Sequence, residues 1–145
     1  MSPKEYLQSL QTLRERYFRA VEDVQQIRSM MESAGAIRYD KLNVQTSPDN
    51  DQLADYVVRL EKAVSNSERL AKQYMDRFDQ VREQIDMISP QLYSDILYLR
   101  YIGGYSLWKI ADEMNYSFQH IRRMHGRALY EFGIVFSEVL KDATR

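Results

Sequence analysis

The chain has 145 residues, a length that suits one ordinary domain or two small ones. Its formal net charge is −1, so any nucleic-acid footprint must be local. The absence of cysteine excludes disulfides and thiolate zinc sites. The N-terminal segment has no apolar run like that of a signal peptide, and no stretch approaches the ~20 apolar residues of a membrane span. We therefore expect a cytoplasmic protein with no membrane partner.

Glycine and proline are scarce, with five and three residues, and they leave long uninterrupted helical windows. No run of alternating apolar and polar residues is long enough to predict a strand. The sequence therefore predicts an all-α protein in two parts. Residues 1–88 form a long helical hairpin or coiled coil, and residues 89–145 form a module of three short helices.

Two apolar stripes with steps of four and three residues run through the N-terminal part, as in heptad repeats. One stripe extends from Tyr6 to Met31 and the other from Leu53 to Ile88. Gly35 predicts the end of the first helix, and the polar segment up to Asn50 predicts a loop.

The predicted hairpin has a second apolar edge that its own two helices would not bury. This edge favours a homodimer or higher homo-oligomer assembled through residues 1–88. The alternative is a hairpin that packs only on itself. The first 89 residues contain 13 Lys+Arg and 15 Asp+Glu, a mixed surface unlike a nucleic-acid groove. The residues of this second edge are Leu7, Phe18, Val21, Tyr56, Leu70 and Met75.

Serine caps and helix-ending glycines mark the predicted helix boundaries of the C-terminal module. Ser89 is the predicted N-cap of its first helix, with Pro90 at the first helical position. Gly103 and Gly104 predict the end of that helix, and Ser106 caps the next. The predicted inward-facing residues are Leu92, Ile96, Leu97, Leu99, Tyr101, Leu107, Ile110, Ala111, Met114, Ile121, Met124, Ala128 and Phe132.

Asn115 and Tyr116 predict a tight turn because asparagine tolerates the left-handed conformation, and Ser117 caps the third helix. Two short helices joined in this way are typical of a helix-turn-helix. Residues 114–130 contain three arginines and no acid. A carboxylate would repel phosphate, so this pattern favours a DNA-facing helix. The alternative is an ordinary solvated face, which usually mixes charges.

The start of the third helix would read base edges in the major groove of double-stranded DNA. Glutamine suits adenine and arginine suits guanine, whereas Arg127 and Lys109 are better placed for phosphates. The predicted DNA-binding residues are Lys109, Ser117, Phe118, Gln119, His120, Arg122, Arg123 and Arg127.

Residues 99–129 resemble region 4 of bacterial sigma-70-type factors. The matching residues are Leu99-Arg100-Tyr101, Gly103-Gly104, Ser106, Ile110-Ala111, Ser117 and Arg127-Ala128-Leu129. The whole chain is similar in outline to small bacteriophage proteins of the RinA/ArpU type, through VQTSPD (Val44 to Asp49) and HGRAL (His125 to Leu129). This resemblance implies an activator of phage late, packaging or lysis genes that works with the host RNA polymerase.

The chain departs from the sigma pattern at Met124 and His125, where sigma factors have a basic residue and a leucine. It also lacks a basic, aromatic-rich strand-melting region. These departures favour an activator or sigma-like accessory over a self-sufficient sigma factor. Two other functions stay open: a small terminase subunit for DNA packaging, and an interaction protein that does not bind DNA.

The sequence predicts no enzyme, because it has no Ser/His/Asp arrangement, glycine-rich phosphate loop or paired buried carboxylates. We expect no cofactor and no metal site, since His120 and His125 are five residues apart and do not share a helical face. We expect His120 to be exposed, and His125 to be half-buried with a ring nitrogen bonded to the backbone. Trp108 is interpreted as a packed aromatic, with a polymerase contact as the alternative.

Overall fold

A computed structural model describes the backbone of residues 1–40 and 49–144 and the side chains of residues 1–34 and 51–144. This described part is all-helical, as predicted, and contains no strand. No helix in it is long and apolar enough to cross a membrane. A π-helical turn, Tyr98–Ile102, directly continues α3. The α-helices are α1 Pro3–Asp40, α2 Asp49–Asp86, α3 Gln91–Leu97, α4 Leu107–Met114, α5 Phe118–Val135 and α6 Ser137–Thr144.

The first helix continues to Asp40, so the prediction that it ends at Gly35 is wrong. A glycine inside a helix costs only about 0.5–1 kcal/mol relative to alanine. Such a small local preference does not stop a helix that has good helix formers on both sides. Residues 41–48, which include most of the VQTSPD segment, lie outside the described residues.

The chain divides into two compact units: unit 1 comprises residues 1–14 and 74–145, and unit 2 comprises residues 15–73. The predicted boundary between residues 88 and 89 therefore lies inside unit 1. Unit 2 consists of parts of α1 and α2, and its buried stripe residues include Ala20 and Val24. Leu70, predicted on the second edge, is also buried there.

In unit 1, the first turns of α1 and the last turns of α2 share a core with the C-terminal helices. The hydroxyl of Tyr6 donates to Oε1 of Gln84 over 2.9 Å, and Arg77 Nη1 donates to Oγ of Ser9 over 3.1 Å. Later residues of α1 pair with earlier residues of α2, so these helix ends run antiparallel. The buried core residues are Tyr6, Leu7, Leu10, Val81, Ile85, Ile88, Leu97, Tyr101, Ala128, Phe132 and Leu140.

A second cluster in unit 1 joins α3, α4 and α5. Its buried members are Ile96, Ile110, Ala111 and Ile121. Partly buried residues that pack against it include Leu92, Leu99, Leu107, Met114 and Met124. The predicted inward faces of these three helices are therefore confirmed. The sequence did not predict α6 or the π-helical turn.

Pro90, and not Ser89, occupies the cap position of α3, so the predicted serine cap is wrong. Pro90 has φ −70° and ψ 168°, an extended conformation that places it before the first helical residue. Its carbonyl accepts from the backbone N–H of Tyr93 over 2.9 Å. At the other end, Gly104 has φ +73°, the left-handed conformation that glycine adopts without strain.

Candidate nucleic-acid interface

Two serine caps set where α4 and α5 begin, and one left-handed residue shapes the turn between them. The Ser106 hydroxyl accepts from the backbone N–H of Lys109, and the Ser117 hydroxyl accepts from that of His120, each over 3.1 Å. Asn115, between the helices, has φ 59° and ψ 39°. These caps and this turn are confirmed as predicted. They fix the orientation of α5 relative to α4, together with Ile110 and Ile121, which are fully buried between the helices.

The outward face of α5 carries the arginine cluster. Gln119, Arg122, Arg123 and Arg127 are exposed, whereas the inward residues of the same helix are buried. Positions three and four apart lie on one side of a helix, so these four side chains share a face. Within the described part of the chain, none of the three arginines has a hydrogen bond or an ion pair with another residue. Their charges are therefore available to a ligand.

An exposed aromatic stack stands at the start of both helices. The rings of Trp108 and Phe118 lie parallel, with centroids 3.8 Å apart and an interplanar angle of 7°. Trp108 packs as expected on one side, yet 67% of its surface is exposed. Phe118, a predicted DNA-binding residue, is half-buried in this stack. Sequence reasoning missed the pairing because the two residues are brought together only by the fold.

Two further aromatic contacts hold predicted DNA-binding residues in place. The ammonium of Lys109 lies 4.0 Å from the centroid of the Tyr105 ring, a cation–π contact that leaves the lysine exposed. The ring of His120 lies 4.8 Å from that of Tyr116. His120 is half-buried and not exposed as expected, because this neighbouring ring covers part of it.

His125 is half-buried as predicted, but its partner is a side chain and not the backbone. Its Nε2 shares a hydrogen bond of 2.8 Å with the hydroxyl of Tyr101. Burial, with smaller contributions from Arg100 and Lys4, lowers the pKa of His125 to about 4. Burial likewise raises the pKa of Tyr101 to about 12. The imidazole is therefore uncharged at neutral pH and adds nothing to the charge of α5.

Acidic side chains border this surface on α4, where Asp112 and Glu113 are exposed near the end of the helix, and on α5, where the half-buried Glu131 lies one turn after Arg127. The start of α4, with Lys109, is the part that an anionic ligand could approach without repulsion. No cluster of three or more His, Cys, Asp or Glu residues that could hold a metal ion occurs among the residues that the structure describes.

Comparison of the chain with protein-family models, with curated proteins and with solved structures finds no match. The chemistry of the interface is consequently inferred from its own geometry and charge.

Proposed function

We propose that the protein is a sequence-specific regulator of transcription that binds double-stranded DNA. The observation that carries this proposal is the exposed face of α5. It presents a glutamine and three arginines that pair with no other described residue, with no acid among them, directly after a capped tight turn. A solvent-exposed surface without a ligand usually carries charges of both signs, whereas a surface that binds phosphate lacks carboxylates.

The proposed mechanism treats α4 and α5 as a helix-turn-helix, with the first half of α5 in the major groove. Gln119, Arg122 and Arg123 would make hydrogen bonds to base edges. Arg127, one turn further along α5, and Lys109, on the first turn of α4, would contact phosphates and set the register.

The other predicted DNA-binding residues would help to position the side chains that contact the bases. The Ser117 hydroxyl is engaged in the cap, so its proposed role is to fix where α5 begins. Phe118 is held by Trp108, and His120 is held by Tyr116. Side chains held in this way give up less conformational freedom on binding, which favours affinity.

The regulatory step is proposed from the resemblance to phage activators: bound protein would position the host RNA polymerase at a late promoter. Assembly of two or more copies through residues 1–88 would raise the affinity for paired sites through a higher effective concentration. A small terminase subunit would use the same DNA contacts in a ring of many copies, so the number of subunits in solution distinguishes the two roles.

Exposed apolar side chains favour a second candidate, a protein-interaction module. Trp108 is 67% exposed, and Ile134 and Val135 near the end of α5 are 55% and 48% exposed. Apolar groups of this size on one helical module could contact a partner protein. Under this candidate, removal of the arginines would leave partner binding intact.

The test is a selection of bound duplexes from a random double-stranded pool, followed by titration of the enriched duplex over a salt series. We expect one enriched sequence that is retained at ~150 mM salt, with affinity falling linearly on a log–log plot. Absence of enrichment together with no binding even at ~50 mM salt would contradict DNA binding and favour the interaction module.

A further inference from the structure

Gly126 has no packing explanation within unit 1. It lies in the interior of α5 on the exposed face, and a Cβ built on it meets no atom within 4 Å. Alanine is more favourable than glycine inside a helix, so the fold alone would prefer a side chain there. Gly133 on the same helix is different, because a Cβ on it would lie 3.1 Å from Cγ of Pro3. A molecule that contacts α5 from outside the chain would explain glycine at position 126.

Cations from two parts of unit 1 surround this glycine. Arg122 and Arg123 lie one turn before it and Arg127 directly follows it. Gly126 also lines a groove of about 480 Å³ together with Lys4 of α1. Among the described residues that line this groove, Lys4 is the one charged side chain. Its charge helps to lower the pKa of His125, the neighbour of Gly126, which is consistent with this proximity.

Two carboxylates, those of Glu5 and Glu131, lie near this position. Glu5 is the acid next to Lys4, and its carboxylate accepts a hydrogen bond of 2.9 Å from the backbone N–H of Ser2. Glu131 on α5 is half-buried and lies about 140° around the helix from Gly126 but only about 40° from Arg127, at about 100° per residue. The cations around Gly126, which are Lys4, Arg122, Arg123 and Arg127, therefore outnumber these two carboxylates.

We propose that Lys4, Gly126 and Arg127 form a phosphate site that receives the backbone of a bound DNA strand beside the base-reading face. At Gly126 the strand could approach the α5 backbone more closely than any side chain would allow. Lys4 would bring the N-terminus of α1 into the DNA interface. This inference rests on the proposed function and adds two residues that the helix-turn-helix pattern did not identify.

The first test measures salt dependence with the duplex selected by the wild-type chain. Removal of one lysine–phosphate interaction reduces the slope of log K against log salt by about 0.9. We expect Lys4→Gln to reduce the slope by about that amount. Lys72→Gln removes the same charge from an exposed position in unit 2 and should leave the slope unchanged. A wild-type slope for Lys4→Gln would overturn the role of Lys4.

The second test separates folding from binding at Gly126. Gly126→Ala and Gly126→Leu should raise the urea midpoint or leave it unchanged, because the added atoms enter open space. The leucine variant should bind the selected duplex at least tenfold more weakly than the wild type. Wild-type affinity for Gly126→Leu would overturn the close approach while leaving the proposed function standing. If the wild-type chain itself binds no duplex, the proposed function fails, and this inference fails with it.

Discussion

The indole of Trp108 lies flat against the ring of Phe118, with centroids 3.8 Å apart. Trp108 is the second residue of α4 and Phe118 is the first residue of α5. The stack therefore joins the first turns of the two helices, in addition to the buried cluster that contains Ile110 and Ile121. Two separate contacts fix the angle between the helices better than a core contact alone.

The energy of this stack can be measured by a double-mutant cycle with Trp108→Ala and Phe118→Ala. Aromatic pairs contribute about 0.5–1.5 kcal/mol beyond the area that they bury, so we expect a coupling energy in that range from urea unfolding. A matched cycle with Trp108→Ala and Tyr130→Ala should be additive, because Tyr130 lies roughly 18 Å further along α5 than Phe118. Additivity for Trp108 and Phe118 as well would show that the stack contributes nothing.

The turn between α4 and α5 depends on the left-handed conformation of Asn115. Asn115→Ala should destabilise the protein by about 1–2 kcal/mol, because the Cβ of alanine is strained at φ 59° and its side chain offers no compensating hydrogen bond. Asn115→Gly is the control, since glycine adopts this conformation freely and should cost much less. Urea unfolding of both variants measures the difference. Equal free energies of unfolding would contradict the structural role of the turn.

The neutral state of His125 makes stability depend on pH. Its pKa is lowered from 6.5 to about 4 by burial, and by Arg100 and Lys4. The unfolded chain therefore binds a proton before the folded chain does, and stability falls as pH decreases from about 6.5 to about 4. His125→Gln should flatten the dependence of the unfolding free energy in this window, whereas His120→Gln should retain it. An unchanged pH profile for His125→Gln would contradict the buried neutral imidazole.

The shared core of unit 1 predicts that residues 89–145 do not fold alone. Leu97, Tyr101 and Phe132 pack against residues from the ends of α1 and α2, and removing those ends would expose them. We expect the fragment to show low helicity by circular dichroism and no cooperative urea transition, while the full chain shows both. A cooperative transition of the isolated fragment would contradict this account of the core.

Features determined by near neighbours in the sequence could be predicted. Ser106 and Ser117 each cap a backbone N–H three residues further on, and the conformation of Asn115 depends on the residue itself. The inward faces followed from helical periodicity for the same reason. Gly35 shows the limit of local signals, since its small preference against helix did not end α1.

Features that depend on distant residues could not be predicted. Nothing in the sequence around Tyr6 indicates a hydrogen bond to Gln84, and the partner of His125 proved to be Tyr101 and not the backbone. The open space around Gly126 likewise became visible only when α1 and α5 were placed together. Such pairings result from tertiary packing, which a helical pattern does not specify.

DNA binding by the exposed arginines of α5 is tested by fluorescence anisotropy of two double variants on the selected duplex at ~150 mM salt. Each bidentate contact to a base contributes about 1–3 kcal/mol, so Arg122→Ala with Arg123→Ala should weaken binding by at least roughly 30-fold. Arg28→Ala with Arg59→Ala removes the same charge from exposed positions in unit 2 and should retain wild-type affinity. Equal affinity of the Arg122/Arg123 variant and the wild type would contradict the account.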